Sequence, residues 1–246
     1  TSIGDYAFRG CSSLTSIVIP DSVTSIGDRA FEDCTSLESI VIPDSVTSIG
    51  RNAFYGCSSL TSVTLPAGLQ TIGDRAFSGC DSLSLLTLPE GLTSIGDGAF
   101  EGCASLSSLA LPAGLTSIGD GAFSGCENLE AVVIPESVTW IGQGAFENCA
   151  RLNEIIIPDS VTKIGYYAFR KCSGITKLSL GKVEEIEAYA FANCTALQHV
   201  ELPASLQILG EYVFLSDKSI QNIIYYGFKF CGSRFFLIAI FCFRTV

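Results

Sequence analysis

Residues 17–27 have the sequence IVIPDSVTSIG, and residues 40–50 repeat it letter for letter. Phenylalanine and cysteine each recur every 23 residues, in the columns Phe8, Phe31, Phe54, Phe77, Phe100, Phe123, Phe146, Phe169 and Cys11, Cys34, Cys57, Cys80, Cys103, Cys126, Cys149, Cys172. A fixed period of this size is typical of a solenoid, in which each coil buries its apolar side chains only against its neighbours. We therefore expect one continuous stack of coils.

Residues 14–36 show how a coil is built. Ile17 and Ile19 are two apart and share one face of a predicted strand. Pro20 ends that strand because it has no N–H to extend the ladder. Residues 23–26 then bring apolar side chains back to the core, in a short extended piece or a turn.

The second half of the coil predicts a helical turn. Asp28 is a preferred helix N-cap, and residues 29–34 fit one turn or slightly more. The residue before each cysteine is mostly Gly, Asn or Asp, which tolerate the left-handed conformation that ends a helix.

The charge composition disfavours two classes of partner. The chain has 14 Lys and Arg against 25 Asp and Glu, a net charge of −11, which disfavours nucleic acid and anionic membranes as partners. It has no Met and begins in mid-repeat, as we expect of a fragment or a processed product.

The cysteine column allows three interpretations. Buried thiols that pack as small hydrophobic groups are favoured. Disulfides between adjacent coils are possible by distance but must also satisfy strict dihedral geometry. Zinc is the least favoured, because four sulfur atoms in one column cannot surround an ion tetrahedrally. The sequence therefore predicts no metal and no cofactor.

The repeated motif resembles a known family. Leu-x-x-Ile-x-Ile-Pro, Val-x-x-Ile-Gly and Ala-Phe-x-x-Cys-x-x-Leu are similar to the BspA-like (Treponema pallidum-type) leucine-rich repeat over about residues 1–226. The resemblance implies a right-handed α/β, mostly β, solenoid with a parallel sheet on its concave side. We expect about ten coils of 23 residues, with the short helical turns on the convex side.

The resemblance weakens in two places. Residues 180–187, LGKVEEIE, lack the proline, are one residue short and have Glu187 in a glycine column, so a kink or a tightened loop is expected. We expect residues 227–246 to form a divergent hydrophobic C-terminal tail or cap. Its apolar run, residues 235–243, is shorter than the roughly 20 residues needed to cross a bilayer.

The outward strand positions are the candidate binding surface. Equivalent residues of successive coils should form straight rows about 4.8 Å apart. The predicted protein-binding residues of this concave face are Val18, Val41, Thr64, Thr87, Ala110, Val133, Ile156, Glu154, Lys177 and His199. Alternatively, they are ordinary strand residues without a binding role. Elsewhere, Trp140 and Lys163 are one coil apart and predict a cation–π contact.

The favoured function is a non-catalytic binding or adhesion module. The resemblance implies a surface or secreted protein whose partner is a host, matrix or cell-surface protein, and it implies no catalytic residue. An enzyme is not expected, because His199 is the single histidine and no nucleophile or phosphate-loop motif accompanies it. The alternatives are a structural spacer or stalk and, less favoured, ice binding by a threonine column such as Thr93, Thr116 and Thr139.

Overall fold

The strands lie at two positions in each coil and pair in parallel with the same strands of neighbouring coils. The computed structural model describes residues 1–226. The first position holds two-residue strands: β1 (Ser2–Ile3), β2 (Ser25–Ile26), β4 (Ser48–Ile49), β6 (Thr71–Ile72), β8 (Ser94–Ile95), β10 (Ser117–Ile118), β12 (Trp140–Ile141), β14 (Lys163–Ile164), β16 (Glu185–Ile186) and β18 (Ile208–Leu209). The second holds β3 (Ser39–Val41), β5 (Ser62–Thr64), β7 (Leu85–Leu86), β9 (Ser108–Ala110), β11 (Ala131–Val133), β13 (Glu154–Ile156), β15 (Lys177–Ser179), β17 (His199–Leu202) and β19 (Asn222–Tyr225).

The first position forms one ten-stranded sheet, β1-β2-β4-β6-β8-β10-β12-β14-β16-β18. The second is divided into a three-stranded sheet, β3-β5-β7, and a six-stranded sheet, β9-β11-β13-β15-β17-β19. Ile26 pairs with Ile49 and Val132 with Ile155, so the sequence period sets the register. The mostly β parallel solenoid of about ten coils is confirmed.

The expected alternation of strand side chains is also confirmed. Ile40 and Ile42 are buried, whereas Val41 between them is 66% exposed. In the first coil, residues 16–18 keep the alternation but form no strand. A strand forms only where backbone hydrogen bonds join it to a neighbour. Between this segment and the next coil there is one such bond, which the Glu38 N–H donates to Thr15 O.

The core is a continuous stack of aromatic rings. The phenylalanine rings from Phe8 to Phe214 lie nearly parallel, with neighbouring centroids 5.1–5.9 Å apart. Rings such as Phe31 and Phe123 are completely buried. Because each ring is covered by the coils on either side, the stability of a coil depends on its neighbours.

The predicted helical turn is wrong, since no helix occurs in residues 1–226. The N–H groups of Arg29, Phe31 and Asp33 donate to carbonyls of the next coil, at 2.7–2.8 Å. Arg29 and Asp33 also have φ of 55° and 59°, which a right-handed helix excludes. The segment is therefore a series of turns with its own ladder between coils. The predicted left-handed conformation of the residue before the cysteine is confirmed for all nine described cysteines.

Asp28 accordingly does not cap a helix. Its Oδ1 accepts from the backbone N–H of Arg51 in the next coil at 2.8 Å, and Asp97 does the same for Asp120. The preference of Asp for backbone N–H groups was recognised, but the donor belongs to the adjacent coil. The column therefore links coils through charge-assisted hydrogen bonds.

The coil that contains residues 180–187 has a tightened loop, as expected. Val183 N–H donates to Leu180 O at 3.1 Å, so this turn begins one residue earlier than the turn after Pro158. Registry is then restored, because Lys163 pairs with Glu185 in the ten-stranded sheet. The hydrophobic tail or cap predicted over residues 227–246 lies outside the described residues.

Candidate functional site

The outer side chains of β3, β5, β7, β9, β11, β13, β15, β17 and β19 form a surface that we call the strand face. Sheet register places Glu154 beside Lys177 and Lys177 beside His199, as predicted. A second row holds Val133 beside Ile156. Val133 and Ile156 are 76% and 61% exposed, so the strand face presents large apolar groups to solvent.

The strand face contains a groove of about 670 Å³ over its C-terminal coils, which we call the strand-face groove. Of the ten predicted binding residues, Glu154, Ile156, Lys177 and His199 line it. The other six, Val18, Val41, Thr64, Thr87, Ala110 and Val133, lie outside its lining. The structure therefore groups the charged predicted residues with one apolar residue and separates them from most of the apolar row.

The groove coincides with the interruption of the repeat. Ser179 pairs in register with Ile156 of the preceding coil and has a much smaller side chain, and the shortened turn lacks the proline that follows the strand in that coil. Gly181 has φ of 49°, and a Cβ there would lie 2.7 Å from Ile157 O. Glycine is therefore required by the conformation of the shortened turn.

Ser179 and Glu201 also line the groove, and they continue the outward row of Val133 and Ile156, whereas sequence reasoning did not single out Gly181 or Tyr226 as site residues. The missing proline was the available signal. It identified a departure from the repeat, but it did not show that small residues in adjacent positions would open space on the strand face.

The groove has mixed charge. Lys177, Glu154, Glu201 and His199 are all exposed, and within residues 1–226 none of them forms a salt bridge. Their hydrogen-bonding and charged groups are therefore available to a ligand. The arrangement suits a partner surface that combines apolar groups with charges of both signs.

Lys163 does not form the predicted cation–π contact with Trp140. The two residues are register neighbours, but Lys163 Nζ lies 3.3 Å from Glu185 Oε1 and 2.7 Å from Glu187 Oε1. The hydrogen bonds that the Lys163 ammonium group donates to Glu187 and Glu185 raise the pKa of Lys163. The carboxylates attract the ammonium group more strongly than the indole ring does.

Glu187 has a second role that the sequence did not reveal. Its Oε2 accepts from the backbone N–H of Tyr166 at 2.8 Å. Gln143 occupies the aspartate column in the preceding coil, so this N–H lacks the carboxylate that Asp120 supplies to the N–H of Gln143. Glu187 provides that carboxylate from the opposite side.

The surface formed by the equivalents of residues 28–33, which we call the turn face, has a tyrosine cluster. Tyr166, Tyr167 and Tyr189 contact one another and Tyr212 stacks on Tyr189, with neighbouring centroids 4.0–5.6 Å apart. The Arg170 guanidinium lies 4.1 Å from the centre of the Tyr167 ring. A hydrogen bond with Tyr167 raises the pKa of Tyr166 to about 12, so its phenol stays protonated at neutral pH.

A smaller groove of about 370 Å³ on the turn face includes Asp97, Asp120 and Glu147. Asp97 and Asp120 accept backbone N–H groups of the following coils, and Glu147 pairs with Arg170. These carboxylates already have partners within the chain. In the part of the chain that the structure describes, no group of three or more His, Cys, Asp or Glu could hold a metal ion.

The cysteine column consists of free thiols. Of the nine described cysteines, eight are buried and Cys11 is exposed. Each buried thiol donates to a phenylalanine carbonyl of the preceding coil, for example Cys103 Sγ to Phe77 O at 3.3 Å. Burial raises the pKa of Cys57 to about 12 and that of Cys103 well above its ordinary value. These thiols are therefore structural and unreactive.

The threonine hydroxyl groups donate hydrogen bonds to backbone carbonyls of the neighbouring coil. The hydroxyl of Thr116 donates to Thr93 O at 3.1 Å, and that of Thr93 to Gln70 O at 3.2 Å. These bonds account for the column without an external ligand. A helix able to cross a membrane is also not found among residues 1–226.

Comparisons with known proteins agree with this geometry. The model of the BspA type leucine rich repeat region matches residues 1–130 and 116–237, in six copies. No curated protein matches the chain significantly. The matches indicate no enzyme family.

Three solved structures resemble the chain. A leucine-rich repeat protein from Bacteroides ovatus is 31% identical, with a TM-score of 0.73, over 83% of this chain and 59% of that protein. A leucine rich cell surface protein from Faecalibacterium prausnitzii is 32% identical, with a TM-score of 0.65, over 86% and 68%. The T. pallidum leucine rich repeat protein is 34% identical, with a TM-score of 0.58, over 66% and 75%. The chain thus spans about three fifths of the Bacteroides protein.

Proposed function

This chain belongs to the BspA-type leucine-rich repeat family, and on that premise we propose that it is a non-catalytic protein-binding scaffold that uses its strand face for adhesion or recognition. The observation that carries the proposal is the strand-face groove. It is the place where exposed apolar groups, unpaired charges of both signs and a departure from the repeat coincide. The partner we infer is a host, matrix or cell-surface protein.

The chemistry of the groove favours binding over catalysis. His199 has no hydroxyl or thiol nucleophile beside it in its row, where its neighbours are Lys177 and Asn222. The buried thiols are held protonated by desolvation, so they do not supply the nucleophile elsewhere. A net charge of −11 argues against nucleic acid as the partner.

A location at the cell surface or outside the cell fits this function. One relative, from Faecalibacterium prausnitzii, is described as a cell surface protein. An exposed adhesion surface has access to host or matrix proteins only in such a location. We therefore include secretion or surface display in the proposal.

The test compares two double variants for binding to immobilised, purified extracellular-matrix proteins. Val133→Lys with Ile156→Lys puts two charges on the strand face, whereas Ser48→Lys with Thr71→Lys puts the same charges on exposed positions of the ten-stranded sheet. We expect the unmodified chain to bind saturably. The variant with Val133→Lys and Ile156→Lys should lose at least about tenfold in affinity, equivalent to about 1.4 kcal/mol, and the variant with Ser48→Lys and Thr71→Lys should bind like the unmodified chain. Equal affinity of all three proteins would refute the strand-face assignment.

The alternative function is a structural spacer or stalk without a specific ligand. The near identity of the coils favours it, because identical coils do not define one site. Deleting residues 154–176 removes one period together with Glu154 and Ile156 from the groove. A spacer would tolerate this deletion, whereas a binding scaffold that still folds would lose its ligand.

A further inference from the structure

Asp217 ends the buried cysteine column. Cys194 is the last described cysteine, and Asp217 follows it by one period, just as Phe214 follows Phe191. The Asp217 residue is only 3% exposed. Neither Oδ1 nor Oδ2 has a hydrogen-bond partner. A buried carboxyl group without partners is costly, and within residues 1–226 Asp217 is the one Asp or Glu whose whole residue is buried.

The thiols show what this position does in the other coils. Cys172 Sγ donates to Phe146 O at 3.1 Å, and Cys194 Sγ donates to Phe169 O at 3.3 Å. The equivalent acceptor for Asp217 is Phe191 O. A protonated carboxyl can donate to that carbonyl in place of a thiol, whereas an ionised carboxylate has no proton and repels the carbonyl oxygen.

Nearby backbone groups do not replace this bond. The N–H of Asn193 already donates to Leu215 O, and that of Cys194 donates to Phe191 O. Desolvation by burial raises the pKa of Asp217 to about 7, and these two N–H groups offset only part of that rise. The ionisable group of the preceding coil that interacts with Asp217 is the Cys194 thiol, whose pKa is also raised well above its ordinary value. Lys218, the next residue in the chain, is exposed.

We propose that Asp217 is a proton-operated latch, which holds the last described coil against its neighbour when the carboxyl is protonated and releases residues 217–226 when it ionises. The backbone transmits the change directly. Ile220 N–H donates to Asp217 O, and β19 (Asn222–Tyr225) follows and pairs with β17 at the end of the six-stranded sheet. Tyr226, directly after β19, lines the strand-face groove, so release also alters one wall of the groove.

The direction of the pH effect follows from proton binding. Because the folded coil keeps its proton up to about pH 7, whereas an opened coil loses it near 3.8, the opened state binds fewer protons between these values. Stability of the coil is therefore greatest in acid, falls as the pH rises from about 4 to about 7, and remains low above that.

Hydrogen–deuterium exchange with peptide-level mass spectrometry tests the latch at about pH 5 and pH 8, after correction for the intrinsic pH dependence of exchange. In the full chain, we expect protection of amides in residues 218–226 to fall on the order of 100-fold between these pH values. In Asp217→Cys, which restores the column, and Asp217→Asn, which keeps the shape without the charge, the change should be less than roughly threefold. Glu211→Gln removes an exposed carboxylate from the same coil and should behave like the unmodified chain.

Equal protection at both pH values in the unmodified chain would overturn the proposal, as would the same pH dependence in the Cys variant. Asp217→Cys decides the question if the Asn variant does not fold, because a thiol fits this column in the neighbouring coils. The measurement uses no ligand, so its outcome is independent of the proposed binding function.

Discussion

Phe123→Ala tests whether the phenylalanine stack stabilises the solenoid. The Phe123 ring is completely buried, and its centroid lies 5.5 Å from Phe100 and 5.4 Å from Phe146. Truncating a buried phenylalanine to alanine costs about 3–5 kcal/mol in unfolding free energy. Two stacked pairs contribute about 0.5–1.5 kcal/mol each beyond the area that they bury. We therefore expect a loss near the upper end, about 4–5 kcal/mol.

Phe8→Ala is the matched control, because Phe8 belongs to the same column but is only partly buried and has one described stacking neighbour, Phe31 at 5.1 Å. Its truncation should cost less than half as much, about 1–2 kcal/mol. Phe123→Leu separates volume from stacking, since leucine keeps most of the buried apolar area. Its loss should lie between those of the two alanine variants.

The assay combines guanidinium denaturation, followed by circular dichroism, with hydrogen exchange resolved by coil. A stack is not strictly two-state, so exchange shows where stability is lost. We expect reduced protection in the coil of Phe123 and in its two neighbours, and less change farther away. The reasoning is refuted if Phe123→Ala costs less than about 1 kcal/mol, or no more than Phe8→Ala.

Three other predictions concern the thiols and the shortened coil. In the native chain, iodoacetamide should modify the exposed Cys11 but not the buried Cys103, even at about pH 9, because burial raises the pKa of the Cys103 thiol well above its ordinary value. Peptide mass spectrometry measures the labelling, and rapid labelling of Cys103 in the native chain would contradict its burial. Gly181→Ala should destabilise the chain by about 1–3 kcal/mol, because Gly181 has a positive φ and the new Cβ would lie close to a carbonyl oxygen. Gly68→Ala is the control and should be nearly neutral, since no atom lies within 4 Å of its new Cβ. Equal denaturation midpoints for the two variants would argue against strain at the turn. Glu187→Ala should lower the free energy of unfolding by about 1–2 kcal/mol, because the backbone N–H of Tyr166 loses its acceptor. Glu187→Gln keeps a side-chain oxygen and should recover part of that stability. Equal stability of the two variants would show that the side-chain acceptor is unimportant.

The predictable part of the fold is the part fixed by burial and period. Alternating apolar residues before a proline identified the strands of the strand face, and the recurrence of Phe31 and Cys34 identified the shared core. These inferences depend only on which side chains avoid water and on their spacing. They hold because the stack buries the same columns in every coil.

The turn face could not be predicted in the same way. Asp28 followed by a cysteine six residues later is compatible with a capped helical turn when hydrogen bonds are assumed to close within the segment. In the structure, alternate N–H groups donate to the next coil instead. Local sequence does not distinguish the two choices, because both satisfy the backbone and only the stack supplies the second set of carbonyls.

The position of the groove follows from a further consequence of repetition. Identical coils present the same groups every ~4.8 Å, so a ligand that fits one coil fits the next equally well and binds in several shifted positions. A unique position requires a coil that differs from the others. The shortened turn at Gly181 supplies it, together with Ser179 beside it and Lys177 and His199 in the adjoining row. If the strand face recognises a partner in one register, the shortened turn determines that register. Replacing residues 180–183 by the IPDSV of residues 157–161 restores a full-length turn, and it should abolish the preference of the partner for one position while leaving the stack of coils intact.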